Sequence, residues 1–112
     1  MSDVPELDLA RIRRYCDERI PAEHLDKLRM EVAVRGKSVT IVEVRAPWQP
    51  ELSEEWTRHG VAQLRYDPDS HSWSLFCADR NARWHLFQPH AHGTAEELLA
   101  EIEEDQTGIF WG

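Results

Sequence analysis

The chain has 112 residues, 41% of them hydrophobic and 30% charged, and its net charge is −8. This length predicts one domain over residues 1–112, and the negative charge argues against a general nucleic-acid binder, which needs a positive surface. No apolar run approaches the roughly 20 residues of a membrane span, and neither a signal peptide nor a disulfide framework is recognisable, so we expect a cytoplasmic protein.

The first predicted element is a helix from about Pro5 to Arg19. Asp3 and Glu6 have the spacing of a capping pair, and Pro21 stops the helix because proline lacks a backbone N–H. One face of this helix carries an apolar stripe, formed by Leu9, Ile12, Cys16 and Ile20.

A tight β-hairpin is predicted next, with strands at 28–35 and 38–45. Its two-residue turn, Gly36-Lys37, sets the alignment, because glycine accepts the positive φ that such turns require. Glu43 interrupts the apolar side of the hairpin near its open end. The expected cross-strand pairs on that side are Val34 with Val39, Val32 with Ile41, and Met30 with Glu43.

Residues 46–60 contain two prolines and a glycine, and we expect a structured loop with one helical turn at 51–57. Trp48 and Trp56 lie in this loop. Their large apolar rings are expected to pack onto the domain as a lid, from which they are also candidates to hold a partner.

A three-stranded meander follows, with strands at 61–66, 73–78 and 83–87. Turns placed symmetrically between the strands pair Tyr66 with Trp73 and Phe76 with His85. In that register Arg65, Arg83 and His85 share the face of the sheet that points away from the core.

After a linker at 88–93, Thr94 and Glu97 form a capping box for a second helix with an apolar stripe. The aromatic tail that includes Trp111 is expected to dock on the sheet or on a partner, since free termini usually fray. These elements predict an α+β domain of order α-β-β-β-β-β-α. Its sheet is five-stranded and mainly antiparallel, with both helices packed on one face.

The charge is distributed unevenly. From residue 94 onward the chain has six acidic and no basic residues, so residues 1–93 carry a net charge of only −2. Of the 13 basic residues 11 are arginine, which binds anions in a planar geometry and stacks on aromatic rings. A high-GC codon bias is the simpler explanation of this preference. The composition still leaves room for a local surface of arginines and aromatic rings.

Catalysis is one reading of the polar residues. His85, Asp79 and Arg80 supply the residue types of a general base, its carboxylate partner and a cation that stabilises negative charge. The same residues are also what an ordinary turn and strand need. No nucleophile elbow is present.

The sequence signals for metal binding are weaker than those for catalysis. His90 and His92 are close in sequence, but neither a CxxC nor an HExxH spacing accompanies them, so we expect no metal and no cofactor. The other residues that could add ligands are Cys16, His59, Cys77 and His85.

The distinctive blocks of the chain resemble the domain-of-unknown-function 3024 family. They include Arg45-Ala46-Pro47-Trp48, Asp79-Arg80-Asn81 and the ending Gly108-Ile109-Phe110-Trp111-Gly112. The resemblance covers essentially the whole chain and implies a small bacterial protein with no established activity. The matching positions that it singles out for testing are Arg45, Trp48, Trp56, Arg65, Tyr66, Asp79, Arg80, Asn81, Trp84 and His85.

The favoured hypothesis is a non-catalytic module that binds a protein partner or a second copy of itself. Its expected binding residues are Trp48, Trp56, Arg65, Arg83, His85 and Trp111. One alternative is a small enzyme in which His85 is a general base and arginines bind an anionic substrate. A further alternative is local nucleic-acid contact through arginines and aromatic rings on the sheet.

Overall fold

A sheet of six antiparallel strands, rather than the predicted five, forms the centre of the structure, a computed structural model. It describes residues 3–47, 49, 51–52, 54–88 and 91–111. The helices are α1 (Glu6–Arg19) and α2 (Ala95–Glu104), and a short 3-10 helix spans Ala22–His24. The strands are β1 (Leu28–Arg35), β2 (Ser38–Arg45), β3 (Thr57–Asp67), β4 (Ser72–Ala78), β5 (Trp84–Leu86) and β6 (His92–Gly93).

The strands lie in the order β1-β2-β3-β4-β5, and β6 pairs with β4 beside β5. Both helices pack on one face of this sheet, because the apolar stripes of α1 and α2 belong to the same buried cluster as alternate residues of β2, β3 and β4. The α+β class and the placement of the helices are therefore confirmed. The largest fully buried side chains are Trp73, Ile12, Ile41, Leu64, Leu75, Leu98 and Ile102.

The register of the first hairpin is as predicted. Leu28 pairs with Arg45, Val34 with Val39, and so on along the ladder. Gly36 has φ +60° in the turn, where a side chain would be strained. Because a two-residue turn leaves only one alignment, the sequence determines this part of the fold completely.

The start of β3 was not predicted. The expected helical turn at 51–57 is absent from the described residues of this segment, where 51–52 form a turn, 54–56 are irregular and β3 begins at Thr57 opposite the end of β2. Ser53 lies outside the described residues. A bulge between Ile41 and Val42 shifts the register of this pair by one residue. Extra residues of this kind are hard to recognise in a sequence, since the apolar alternation continues on either side of them.

The predicted register of β5 is also wrong, by one residue. Cys77 pairs with His85 and Ala78 with Trp84, because the hairpin loop has three residues and not an even number. Asp79 and Arg83 are joined across the loop by a backbone hydrogen bond, and Ala82 takes a positive φ of 61°. Three-residue loops typically end in such a left-handed residue. An alanine in the sequence does not indicate this conformation, whereas a glycine or asparagine would.

The ends of the helices differ in how they are capped. α2 has the predicted capping box, in which the Thr94 hydroxyl accepts from the Glu97 backbone N–H and the Glu97 carboxylate accepts from that of Thr94. α1 begins after Pro5 without a side-chain cap, so the expected pairing of Asp3 with Glu6 is wrong. Neither helix is long and apolar enough to cross a membrane, among the residues described.

Candidate functional site

The two faces of the sheet are covered differently. α1 and α2 pack on one face, and within the described part of the chain no helix packs on the other, which we call the open face. The strand pairing assigns the side chains at the centre of this face: Ser38, Thr40, Gln63, Arg65, Ser74 and Phe76. This assignment of Arg65 agrees with the one predicted from the sequence.

Arg65 is held in place on the open face by two neighbours. Its Nε donates a hydrogen bond to Gln63 Oε1 at 2.7 Å, and Gln63 Nε2 in turn donates to Thr40 Oγ1 at 3.0 Å. The guanidinium carbon lies 3.8 Å from the centroid of the Phe76 ring. Only Nε is used in these contacts, so both terminal nitrogens of Arg65 are left to bind an external acceptor.

A second stack of the same kind lies toward the other end of the face. The guanidinium of Arg29 lies 4.6 Å from the centroid of the Trp56 ring. Val42 and Val44 are buried on this side of β2, and the Trp84 ring lies so close to Gly60 that an added Cβ would be 3.0 Å from it. The Trp56 and Trp84 side chains are half-buried. They form an apolar surface beside the arginines. Trp48 lies outside the described residues.

The open face is positively charged. The register places four arginines and two acidic residues on it, Glu31 and Asp67, and Glu31 is paired with Arg58 at 2.6 Å. The six acidic residues that follow residue 94 lie on and beside α2, which packs on the opposite face. The sheet thus separates a basic surface from an acidic one. The four arginines are Arg29, Arg35, Arg58 and Arg65.

His85 is not on the open face, contrary to the sequence-based expectation. It pairs with buried Cys77, so it is directed to the side of the sheet that carries the helices. Arg83, expected on the same face as His85, lies in the loop before β5, where the strand pairing does not assign its side chain to a face. The one-residue shift in β5 causes this exchange, because neighbouring residues of a strand point to opposite faces. Trp84 takes the place on the open face instead.

Asp79 and His85 are in contact, as the sequence predicts, and their contact lies at the closed end of the β4–β5 hairpin. Asp79 Oδ1 accepts from the backbone N–H groups of Asn81 (2.8 Å) and Arg83 (3.0 Å), while Oδ2 lies 2.6 Å from His85 Nε2. The hydrogen bond to His85, and next the one from Arg83, lower the pKa of Asp79. The His85 side chain is 60% exposed, and among the described residues no hydrogen bond or ion pair joins the Arg80 side chain to Asp79 or His85. The turn alone explains Asp79, and a catalytic role stays a prediction.

A different group of titratable residues surrounds a cavity of about 400 Å³. Glu43 is buried and pairs across the ladder with His59, and Arg45 Nε donates to Glu43 Oε1 at 2.5 Å. The C-terminal tail from Gly108 to Trp111 closes the other side. Sequence reasoning missed this group, and the one signal for it was the carboxylate of Glu43 in an apolar strand.

The tail is docked on the chain's own domain. Both carboxylate oxygens of Asp105 accept backbone N–H groups of the tail, from Phe110 at 3.0 Å and from Trp111 at 2.9 Å. Phe110 is buried beside Phe87, and the Arg19 guanidinium lies 4.0 Å from the Trp111 ring centroid. Trp111 therefore packs within the domain and lines the cavity, which makes it a poor anchor for a protein partner.

Metal ligation finds no support in the described ranges, where no cluster of three potential ligands exists. The ring of His92 is engaged with the Ser74 hydroxyl at 2.9 Å, and His90 lies outside the described residues. Cys16 and Cys77 are buried free thiols, and burial raises the pKa of Cys16 to about 12. Thiols protonated in this way are poor metal ligands and poor nucleophiles.

Comparison with known proteins confirms the family and adds no activity. The profile of DUF3024, a domain of unknown function, matches residues 1–112, the whole chain. No curated protein and no solved structure matches the sequence.

Proposed function

The chain belongs to the DUF3024 family of domains of unknown function, and we propose that it is a non-catalytic protein-binding module that uses the open face of its sheet. The observation that carries this proposal is Arg65, which Gln63 and Phe76 hold with its terminal nitrogens unengaged. An arginine fixed before binding loses less side-chain entropy when it meets a carboxylate, so it contributes more to affinity.

The chemistry of the open face supports an acidic partner. Arg29, Arg35 and Arg65 are arginines without a carboxylate partner in the described structure, and Glu31 is neutralised by Arg58. Aromatic rings and arginines together are typical of the energetic centres of protein interfaces. Half-buried Trp56 and Trp84 supply the apolar part of such a centre.

A second copy of the chain is one such partner. Its α2 carries Glu96, Glu101 and Glu104, which complement the arginines of the open face. The other three acidic residues of this region are engaged within their own domain: Glu97, Glu103 and Asp105. Contact between the open face of one copy and α2 of the next uses two different surfaces and leads to open chains instead of closed dimers. Self-association should therefore rise steadily with concentration and fall with added salt.

Nucleic acid is the second candidate, and the stack of Arg65 on Phe76 favours it. A single-stranded base can stack on an aromatic ring of a sheet while arginine contacts the phosphate. The net charge of −8 acts against this candidate, because the whole molecule repels a polyanion beyond the immediate face. We further expect the bacterial cytoplasm as the location, since both cysteines are free thiols.

The experiment is a capture comparison between three versions of the immobilised protein: wild type, Arg65→Gln with Phe76→Leu, and Arg13→Gln. Arg13 is an exposed arginine on α1 without a contact in the described structure, so it matches the charge lost by the first change. Wild type and Arg13→Gln should retain the same protein from a lysate of the source cells, and the open-face variant should not.

Two further measurements distinguish a second copy of the chain and nucleic acid from another protein partner. Light scattering of the purified protein at rising concentration shows whether a second copy is the partner, which would raise the mass above that of the 13.1 kDa chain. Nuclease treatment of the lysate abolishes capture if nucleic acid is responsible. The proposal fails if the protein stays monomeric and retains nothing, or if the open-face variant retains as much as wild type.

A further inference from the structure

The cavity beside the C-terminal tail has the construction of a small-molecule site, independently of the open face. Glu43 and His59 are direct partners on β2 and β3, and Arg45 follows Glu43 on the same side of the sheet. The cavity of about 400 Å³ falls in the lower part of the range for sites that enclose small ligands, roughly 300–1,000 Å³.

The wall formed by the tail is anchored without any help from a ligand. Asp105 holds the backbone N–H groups of Phe110 and Trp111, and Phe110 is buried beside Phe87. Trp111 is fixed under the guanidinium of Arg19. The cavity is therefore a standing feature of the fold, with one polar side from the sheet and one largely apolar side from the tail.

Stability alone does not account for Glu43. The two preceding residues of β2 on the same side, Val39 and Ile41, are fully buried and apolar, and the Glu43 side chain is only 11% exposed. Removing a carboxylate from water is costly, and its ion-pair partner Arg45 is 66% exposed, so the pair offsets little of that cost. A nearly buried carboxylate beside a guanidinium and an imidazole at a cavity is the kind of convergent polar group that orients a bound small molecule.

The groups in the cavity complement a ligand of mixed charge. Arg45 uses only Nε for Glu43, so its terminal nitrogens remain to bind an acceptor, and Glu43 keeps one carboxylate oxygen for a donor. Because the cavity offers one carboxylate and one guanidinium, a zwitterion can pair both of its charges there, whereas a ligand with one charge can pair with only one of the two groups. The apolar wall then takes an apolar side chain.

We propose that this cavity binds a free α-amino acid with an apolar side chain. Glu43 accepts hydrogen bonds from the ammonium group, and Arg45, assisted by His59, donates to the carboxylate. Ile109 and the aromatic rings of the tail contact the side chain. This site faces the side of the sheet that carries the helices, so its occupancy does not depend on Arg65 or on the protein partner.

The test compares three probes that share one phenyl group: L-phenylalanine, 3-phenylpropionate without the amine, and phenethylamine without the carboxylate. Calorimetry gives the affinity, and the indole N–H resonance of Trp111 shows whether the ligand enters the cavity. We expect L-phenylalanine or another apolar L-amino acid to bind with a Kd on the order of 1 mM or tighter. The two singly charged probes should bind about tenfold more weakly or worse.

Variants locate the site. Glu43→Gln and Arg45→Gln should each weaken amino-acid binding about tenfold or more, whereas Arg13→Gln on α1 should leave it unchanged. Since the probe series uses the wild-type protein, it remains decisive even if a cavity variant does not fold. The proposal is overturned if no proteinogenic L-amino acid shifts the Trp111 resonance at about 10 mM. It is equally overturned if 3-phenylpropionate binds as well as L-phenylalanine.

Discussion

Arg65 and Phe76 are diagonal neighbours on β3 and β4, and the guanidinium carbon of Arg65 lies 3.8 Å from the centroid of the Phe76 ring. Cation–π contacts at exposed sites contribute roughly 0.5–1 kcal/mol. We expect a double-mutant cycle with Arg65→Gln and Phe76→Leu to give a coupling free energy of that size. Urea unfolding of the four proteins measures it, and additive effects would mean that the stack is absent in solution.

Asp105 is expected to be the residue on which docking of the tail depends. Its two carboxylate oxygens accept the backbone N–H groups of Phe110 and Trp111. Asp105→Ala removes both hydrogen bonds and should lower the free energy of unfolding by roughly 1–3 kcal/mol.

Asp105→Asn is the matched control for this change. Asparagine keeps one acceptor oxygen and tolerates the left-handed backbone at this position, where φ is 45°. It should therefore lose less stability than the alanine variant. Equal losses in the two variants would show that the carboxylate does not hold the tail, and thermal unfolding with Trp fluorescence distinguishes the outcomes.

Ala82 is strained, because a residue with a Cβ takes φ 61° only at a cost. Ala82→Gly should raise the free energy of unfolding by roughly 0.5–1 kcal/mol, after the greater flexibility of glycine in the unfolded chain is subtracted. Ala33→Gly in β1 serves as the control and should lower it by a similar amount, since Ala33 lies in a regular strand. Destabilisation by both changes would contradict the three-residue loop.

The carboxylate of Asp79 makes stability depend on pH in the acid range. Its hydrogen bonds to His85 and to backbone N–H groups lower its pKa from 3.8, so the folded state favours the ionised form. The stabilisation is fully present above the unfolded pKa and is lost as the pH falls through the folded pKa. Asp79→Asn should therefore destabilise the protein at pH 7 and much less near pH 3.

Urea unfolding at the two pH values measures the difference for Asp79→Asn. Asp26→Asn is the control, because Asp26 is exposed and makes no contact in the described structure, so that variant should match wild type at both pH values. A loss of stability in Asp79→Asn that is equal at both pH values would show that the carboxylate is not preferentially ionised in the fold.

The sequence predicts those parts of the fold that local chemistry determines. Gly36 and Lys37 define a turn with one alignment, and Thr94 with Glu97 defines the start of α2. Both features depend on residues within three positions of each other. Arg65 could be assigned to the open face for a similar reason, because alternation in β3 and β4 is regular.

The remaining parts depend on contacts between residues that are distant in sequence. The left-handed conformation of Ala82 shifts β5 by one residue, and no glycine or asparagine signals it. The cavity forms only when Asp105 docks the tail over Glu43 and His59, which belong to two different strands. A pattern within one strand shows that Glu43 is unusual but does not show what surrounds it.

The most direct test of the binding module is the affinity of the captured partner, or of a second copy, for wild type and for Arg65→Gln. Loss of a charge-assisted contact by a preorganised arginine should weaken binding about tenfold or more, and Arg13→Gln should bind like wild type. Added salt should weaken binding to wild type more than binding to Arg65→Gln. Equal affinity of wild type and Arg65→Gln for the partner would contradict the assignment of the open face as the docking surface.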